Sequence, residues 1–366
     1  MSRLAYWLSS ALLLILVLAK FDPITGFSSL VRFGAEQDRP RLQKLQAVLL
    51  ETVPNSAGYD GQYYAQIALD PTLHDPDLIG ALDIPSYRAR RILAPAAAYL
   101  LGFGQPGWIV QAYAILNVIC WLWLGLLLIS HIDPQSPHAF ARWFGCMFSM
   151  GVLDSVRQSL VDLPALVLLV LAVSAKQRNR PYQGVLHSAL GNLTKETNLL
   201  ATLALYGAPP FKLRKLTPVL IASVPLGVWM VYVSMRFPDG AIGLGNFTWP
   251  LIGAIEQGRT AIGELLDGNF DSRHLFAPVS IAGLGLQAAF LGLRRDPSSP
   301  WWRIGAAYAA LLIFLGPWVW SGYWAACRAV LPMTIAFNLL LPPGRLFWPL
   351  WIIGNLTVVH AIWRFL

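Results

Sequence analysis

The chain has 366 residues, 56% of them hydrophobic and 13% charged, with a mean hydropathy of +0.53 and a net charge of +8. Soluble domains carry roughly 25% charged residues, so this composition excludes an ordinary soluble enzyme and points to a membrane. Its basic residues sit in short loops between apolar runs, not in a stripe interleaved with aromatics, which argues against a nucleic-acid partner.

The first residues, "MSRLAYWLSSALLLILVLAK", look like a signal peptide with Arg3 as its basic end. The apolar stretch carries no small-residue cleavage site, and it reads as an uncleaved first helix. Apolar segments of roughly spanning length follow, giving 4–19, 107–130, 143–153, 158–175, 216–235, 276–293, 304–319, 329–341 and 346–363. Short basic loops at Lys176–Arg180, Lys212–Lys215 and Arg294–Arg303 are expected in the cytoplasm, as is Arg3. Two long connections, 21–106 and 237–275, then lie outside, and they hold 14 of the 19 acidic residues. The expected architecture is an all-α polytopic bundle of about ten or eleven membrane helices, one domain over 1–366.

In the first outer loop the stretch "AGYDGQYYAQIALDP" packs acids among aromatics. Asp70, before Pro71, reads as a helix stop. Asp60 precedes a helix, "GQYYAQIAL", and two readings stand. It is an N-cap, without a capping box because Tyr63 occupies the third position, or a proton acceptor in a site walled by Tyr59, Gln62, Tyr63 and Tyr64, and the two readings are compatible. The segment "YRARRILAPAAAYLLG", 87–102, is too short to span and reads as an interfacial helix, with Arg88 and Arg91 on one face. Such arginines can snorkel to headgroups. On the outer side, where basic residues are disfavoured, a phosphate role for this knot is preferred.

Further on, "VLDSVRQSLVDLPAL" holds Asp154 and Arg157, which could pair with each other, and Asp162, which has no such partner nearby. Residues 181–211 lie between two basic clusters with only about 30 residues available, where two crossings need about 40. A hairpin of two short helices meeting at "GNLTKETN" satisfies this, with its tip, Lys195 and Glu196, buried in protein or lining a polar cavity. One full span with a basic cluster outside is the alternative. Arg328, in "SGYWAACRAVLP", either snorkels or makes a second phosphate contact. Cys120, Cys146 and Cys327 have no zinc or disulfide spacing, and the six histidines show no ligand spacing.

Taken together, "YDGQYYAQIALDP", "YRARRILAPAAAYLLG", "DLPALVLLVLAV", "LGNLTKETNLLA" and the late "RAVLP" resemble integral-membrane glycosyltransferases of the GT-C superfamily, over residues 57 to about 335. The nearest are bacterial members whose first loop reads YDGQ(F/Y)Y. The resemblance implies an inner-membrane enzyme whose active site faces the periplasm. It implies a polyprenyl-phosphate-linked sugar donor, a glycan, lipid or protein acceptor, and Asp60 as the catalytic carboxylate. Arg88, Arg91, Lys195 and Arg328 match places where such enzymes hold the lipid phosphate; Tyr59, Gln62, Tyr63, Tyr87, Asp162 and Glu196 complete the expected substrate-binding set. The superfamily's closely spaced acid pair is reduced here to Asp60 alone, which leaves a divalent cation open, and no large C-terminal outer domain follows. The rival expectation is a transporter or flippase of lipid-linked sugars, since broken helices with charged tips serve transport as well.

Overall fold

A computed structural model describes residues 3–207, 213–238, 240 and 243–365; Lys212 of the second basic cluster and the side chain of Arg3 lie outside this description. Among the described residues the elements are helical, except for a parallel pair of two-residue strands, Phe33–Gly34 and Thr52–Val53, inside the first long loop. Three helices are long and apolar enough to cross a membrane: Pro106–Ile129, Leu213–Arg236 and Ser272–Leu293. The second of these is only 17% buried within the protein. Its exposed Leu220, Val224, Val228 and Val231 need an apolar solvent, which a bilayer supplies.

The other apolar segments fold as shorter or broken helices. The stretch 143–153 divides into Ala139–Met147 and Met150–Arg157, and the C-terminal stretch into Phe347–Gly354 and Thr357–Phe365. Tyr323–Ala329 and Leu331–Leu340 form a bent pair at 67°, with Pro332 at the start of the second helix, where a missing N–H is harmless. The expected interfacial helix over 87–102 is likewise two helices, Pro85–Ala89 and Leu93–Leu101. Pro95 explains the break: it has no N–H to donate to Arg91 C=O and its ring clashes with that carbonyl, so a continuous helix through 91–95 is disfavoured. The helix after Asp60 ends at Leu69, with Asp70 as its C-cap.

The chain turns back at Lys195–Thr197, between helices Pro181–Thr194 and Asn198–Tyr206. Gly184, near the start of the first, lies against the Tyr206 hydroxyl at the end of the second. Both arms pack along Asp162–Gln177: Lys176 Nζ sits 4.7 Å from the Tyr206 ring at one end, and Lys195 meets Asp162 at the other. Asn198 fastens the turn by donating to Ala165 O at 3.1 Å.

The two long loops are built onto this frame. From the helix ending at Arg236, Trp229 donates to Ala89 O, Tyr232 to Thr72 O and Arg236 to Leu73 O. Gln62, fully buried, accepts from Gly34 N and donates to Ala57 O, so it ties strand and helix together. The second loop stitches to the helix ending at Ile313: Thr248 N donates to Phe314 O, Leu251 N to Ile313 O, and Gly316 N to Asn246 O.

Candidate functional site

Asp60 stands one residue before the helix Gly61–Leu69 in a helical backbone conformation, and its side chain makes no capping hydrogen bond. The cap reading is therefore replaced: the carboxylate is directed across the loop to arginines. Its Oδ1 lies 2.8 Å from Arg88 Nη2 and its Oδ2 3.8 Å from Arg328 Nη2. Gly61 makes this placement feasible, because a Cβ there would stand 2.2 Å from Gln158 O and 2.7 Å from Val31 O. Only glycine lets the Asp60 segment seat so closely on the 158 turn.

Arg88 is nearly buried and grips a second acid, Asp83, through Nε at 2.8 Å and Nη2 at 2.6 Å. Its guanidinium is framed by the rings of Tyr63, Tyr64 and Tyr87 at 5.2–5.6 Å. Arg91 forms a two-pronged pair with Glu196 and accepts company from two phenols, donating to Tyr64 Oη at 2.7 Å and Tyr87 Oη at 2.6 Å. Lys195 Nζ meets Asp162 Oδ1 at 2.5 Å, and Arg328 Nη1 lies 3.3 Å from the other oxygen of that carboxylate. Arg328 also donates to Tyr59 Oη at 2.7 Å, a hydroxyl that Trp324 Nε1 reaches at 2.9 Å. Charges thus alternate along one chain: Asp83, Arg88, Asp60, Arg328, Asp162, Lys195. Alternation of this kind is how buried charges are tolerated.

These groups face a cavity of about 480 Å³. Five cations line it, Arg88, Arg90, Arg91, Lys195 and Arg328, against three anions, Asp60, Asp162 and Glu196. With all ionised, the wall carries a surplus of two positive charges. The apolar lining comes from Phe247, Leu311, Leu315, Trp318 and Val319, where the second loop joins the 311–319 segment. Trp318, 80% exposed, is the most exposed of these. Burial alone would raise the pKa of the Asp60 carboxyl, but Arg88 first and Arg328 next outweigh it and hold it below the ordinary carboxylate value. Asp60 is therefore an anion at neutral pH, and its side chain retains 27% exposure toward the cavity.

Of the residues named from the sequence, Asp60, Tyr59, Tyr87, Arg88, Arg91, Asp162, Lys195, Glu196 and Arg328 share this cavity. Gln62 and Tyr63 do not line it. Gln62 is consumed by the loop's own backbone, and Tyr63 acts from behind, with its ring beside Arg88. Asp154 pairs not with Arg157 but with Arg364 at 3.2 Å and Arg328 at 3.5 Å. Asp83 and the apolar lining went unnamed in the sequence, whereas Tyr64, named there beside Asp60, lies behind the cavity against Arg88 and Arg91. Asp83 left a trace in the sequence, as an acid five residues before an arginine. For the divalent cation left open above, the residues fit poorly: among the described residues, no three His, Cys, Asp or Glu side chains are grouped to hold a metal ion. Cys120, Cys146 and Cys327 are buried free thiols.

No protein-family model, no curated protein and no solved structure matches this chain.

Proposed function

We propose that the chain is a GT-C-type glycosyltransferase of a bacterial cytoplasmic membrane, a polytopic bundle of about ten or eleven membrane helices with its site on the periplasmic side. It moves a sugar from a polyprenyl-phosphate donor to an acceptor hydroxyl, inverting the anomeric centre. The observation that carries this reading is the mixed lining of the cavity: five cations and three carboxylates, Asp60 among them, share it with apolar side chains that include the exposed Trp318. A phosphate attached to a long hydrocarbon chain has the same mixed chemistry.

In this mechanism the donor phosphate lies against Arg88, Arg91, Lys195 and Arg328, and the prenyl chain leaves over Trp318. The acceptor oxygen attacks the anomeric carbon from the face opposite the phosphate, and its proton passes to Asp60. The bond between the anomeric carbon and the phosphate oxygen breaks, and polyprenyl phosphate departs with that electron pair. The cations stabilise the charge that grows on it. A phosphate leaving group needs little protonation, so one carboxylate suffices. Paired with two arginines, Asp60 is a weak base; a donor phosphate competing for those arginines raises its basicity when donor is present.

The hairpin broken at Lys195–Thr197 also suits a transporter of lipid-linked sugars. The two readings separate with a labelled polyprenyl-phosphate sugar. Release of free polyprenyl phosphate by purified protein in detergent, with label in an acceptor, supports transfer. Movement of intact donor across a reconstituted vesicle, without bond cleavage, overturns it.

A further inference from the structure

Behind the wall formed by Tyr59, Trp324 and Arg328 lies a second group of cations that the transfer reading does not use. Arg32 follows the short helical turn Ser28–Val31, Arg157 ends the helix Met150–Arg157, and Arg364 sits in the last helix, Thr357–Phe365. These three come from distant parts of the chain, yet the last helix and the Ser28–Val31 turn both pack against the helix that Arg157 ends, which brings the three arginines into one region. Arg364 lies over the Trp324 ring at 4.5 Å and 3.2 Å from Asp154 Oδ1. The acids that act on the group are Asp154, already shared with Arg328 and Gln158, and the exposed Glu51.

Two further observations show that this charge is not internally matched. Arg364 Nη1 and Arg328 Nε both draw on the single carboxylate of Asp154, and the buried Nη1 of Arg157 has no hydrogen-bond partner. Unmade hydrogen bonds on buried charged donors are expensive and rare in finished cores. Burial first, with Arg32 and Arg364 adding to it, pushes the Arg157 guanidinium down to about 10. Arg32 is held at φ 63° as the left-handed cap of the Ser28–Val31 turn, its N–H donating to Ser29 O.

We infer that Arg32, Arg157 and Arg364 form a second anion-binding site, separate from the cavity around Asp60, which takes a phosphate-type oxyanion. Planar guanidinium groups converging from three elements suit tetrahedral oxyanions, each offering paired N–H donors. A bound oxyanion supplies the missing acceptor for Arg157, relieves the sharing of Asp154 and neutralises the surplus charge. It reaches the site either as a phosphate borne by a soluble molecule or as a lipid headgroup. The inference does not depend on sugar transfer, because it concerns different residues and a binding measurement.

The test uses the full chain purified in detergent, with inorganic phosphate followed by calorimetry. Wild type is expected to bind phosphate at two classes of site. Arg157→Gln should lose one class, with affinity at that site falling roughly tenfold or more, while Arg88→Gln loses the other. Without phosphate, Arg157→Gln should melt no lower than wild type, since it removes a crowded charge, and phosphate should stabilise wild type more than the variant. Arg364→Gln supplies an independent check and is expected to lose the same class. Phosphate binding that persists unchanged in both Arg157→Gln and Arg364→Gln, or that vanishes entirely with Arg88→Gln alone, overturns the site. Repeating the titration in phosphatidylglycerol and phosphatidylcholine nanodiscs separates the sources: competition by the anionic lipid assigns the site to a headgroup, and undiminished binding assigns it to a soluble phosphate.

Discussion

Arg91 and Glu196, 105 residues apart in the chain, are joined by two parallel hydrogen bonds of 2.9 and 2.7 Å. That one pair fixes the first long loop to the turn at Lys195–Thr197, so the arginine-bearing loop and the lysine-bearing tip cannot move independently. Bidentate Arg–carboxylate geometry gives direction as well as attraction. Replacing one partner leaves the other charged and uncompensated, which for buried pairs costs about 3–5 kcal/mol. Glu196 retains 22% side-chain exposure, so Glu196→Gln should destabilise by about 3 kcal/mol, at the low end of that range. Thermal unfolding in detergent measures it. Adding Arg91→Met to Glu196→Gln should recover part of the loss, whereas strictly additive losses would show that the pair is not coupled.

Asp60 presents the sharpest functional test. Its carboxylate is the one anion of the cavity with substantial exposure that also bridges two arginines. Removing a general base typically lowers rate by roughly 10²–10⁴ fold. Asp60→Asn, which keeps shape and a hydrogen-bond acceptor for Arg88, should lower transfer to that extent while the protein still inserts and melts cooperatively. Near-normal turnover by such a protein would remove Asp60 from the chemistry.

The pH dependence follows from the arginines on Asp60. Its folded pKa is depressed below the ordinary 3.8, so the unfolded state binds more protons in the window just under that value. The ion pairs therefore contribute stability that is complete above about pH 4 and is lost as pH falls through the depressed folded value. The stability difference between wild type and Asp60→Asn should be flat from neutrality to about pH 4 and shrink below it. For kinetics, the acid limb of kcat/KM reports the free enzyme and that of kcat the donor complex. On the transfer reading donor phosphate draws on Arg88 and Arg328, and the kcat limb should then lie at the higher pH. Coincident limbs would mean that the donor leaves those arginines on Asp60.

How much of this was legible in the sequence depends on the range of each interaction. Asp60, Arg88, Arg91, Lys195, Glu196 and Arg328 stood out because a charge in an apolar chain is conspicuous and seldom gratuitous. The turn at Lys195–Thr197 followed from counting residues between two basic clusters. The break after Arg90 had a local signal in Pro95, which a spacing argument over 87–102 passed over. Asp83 was hidden because its bond to Arg88 needs a non-helical bend between them, and no periodicity marks a bend. Arg364 and Asp154 meet across most of the chain, and nothing local pairs residues at that separation. The apolar lining was lost in a chain with 15 tryptophans and 17 phenylalanines, where one exposed Trp318 carries no distinguishing pattern.

Gly61 should be intolerant of even a methyl group. A Cβ would approach the carbonyl oxygens of Gln158 and Val31 at 2.2 and 2.7 Å, and both are backbone atoms that cannot rotate away. Gly61→Ala must therefore push the Asp60 segment off the turn that holds it. Overpacking of this kind typically costs roughly 1–3 kcal/mol, and displacement of the neighbouring carboxylate should lower transfer as well. A Gly61→Ala protein with wild-type melting and wild-type activity would show that the contact is slack.

On the transfer reading, Trp318 bears on chain recognition and not on chemistry. It belongs to the apolar lining of the cavity, is 80% exposed and takes no part in the ion-pair chain. Trp318→Glu places a charge where the prenyl chain of a donor leaves the cavity, and it repels that chain without altering Asp60 or the cations. A methylene contributes about 0.8 kcal/mol when buried, so the penalty should grow with the length of chain that Trp318 covers. The variant should raise KM for a long-chain donor by roughly tenfold or more and leave kcat within a small factor. Short-chain, water-soluble donor analogues, which end before Trp318, should be used almost as well as by wild type. If long and short donors suffer equally, the chain does not pass over Trp318, and the exit lies on another side of the cavity.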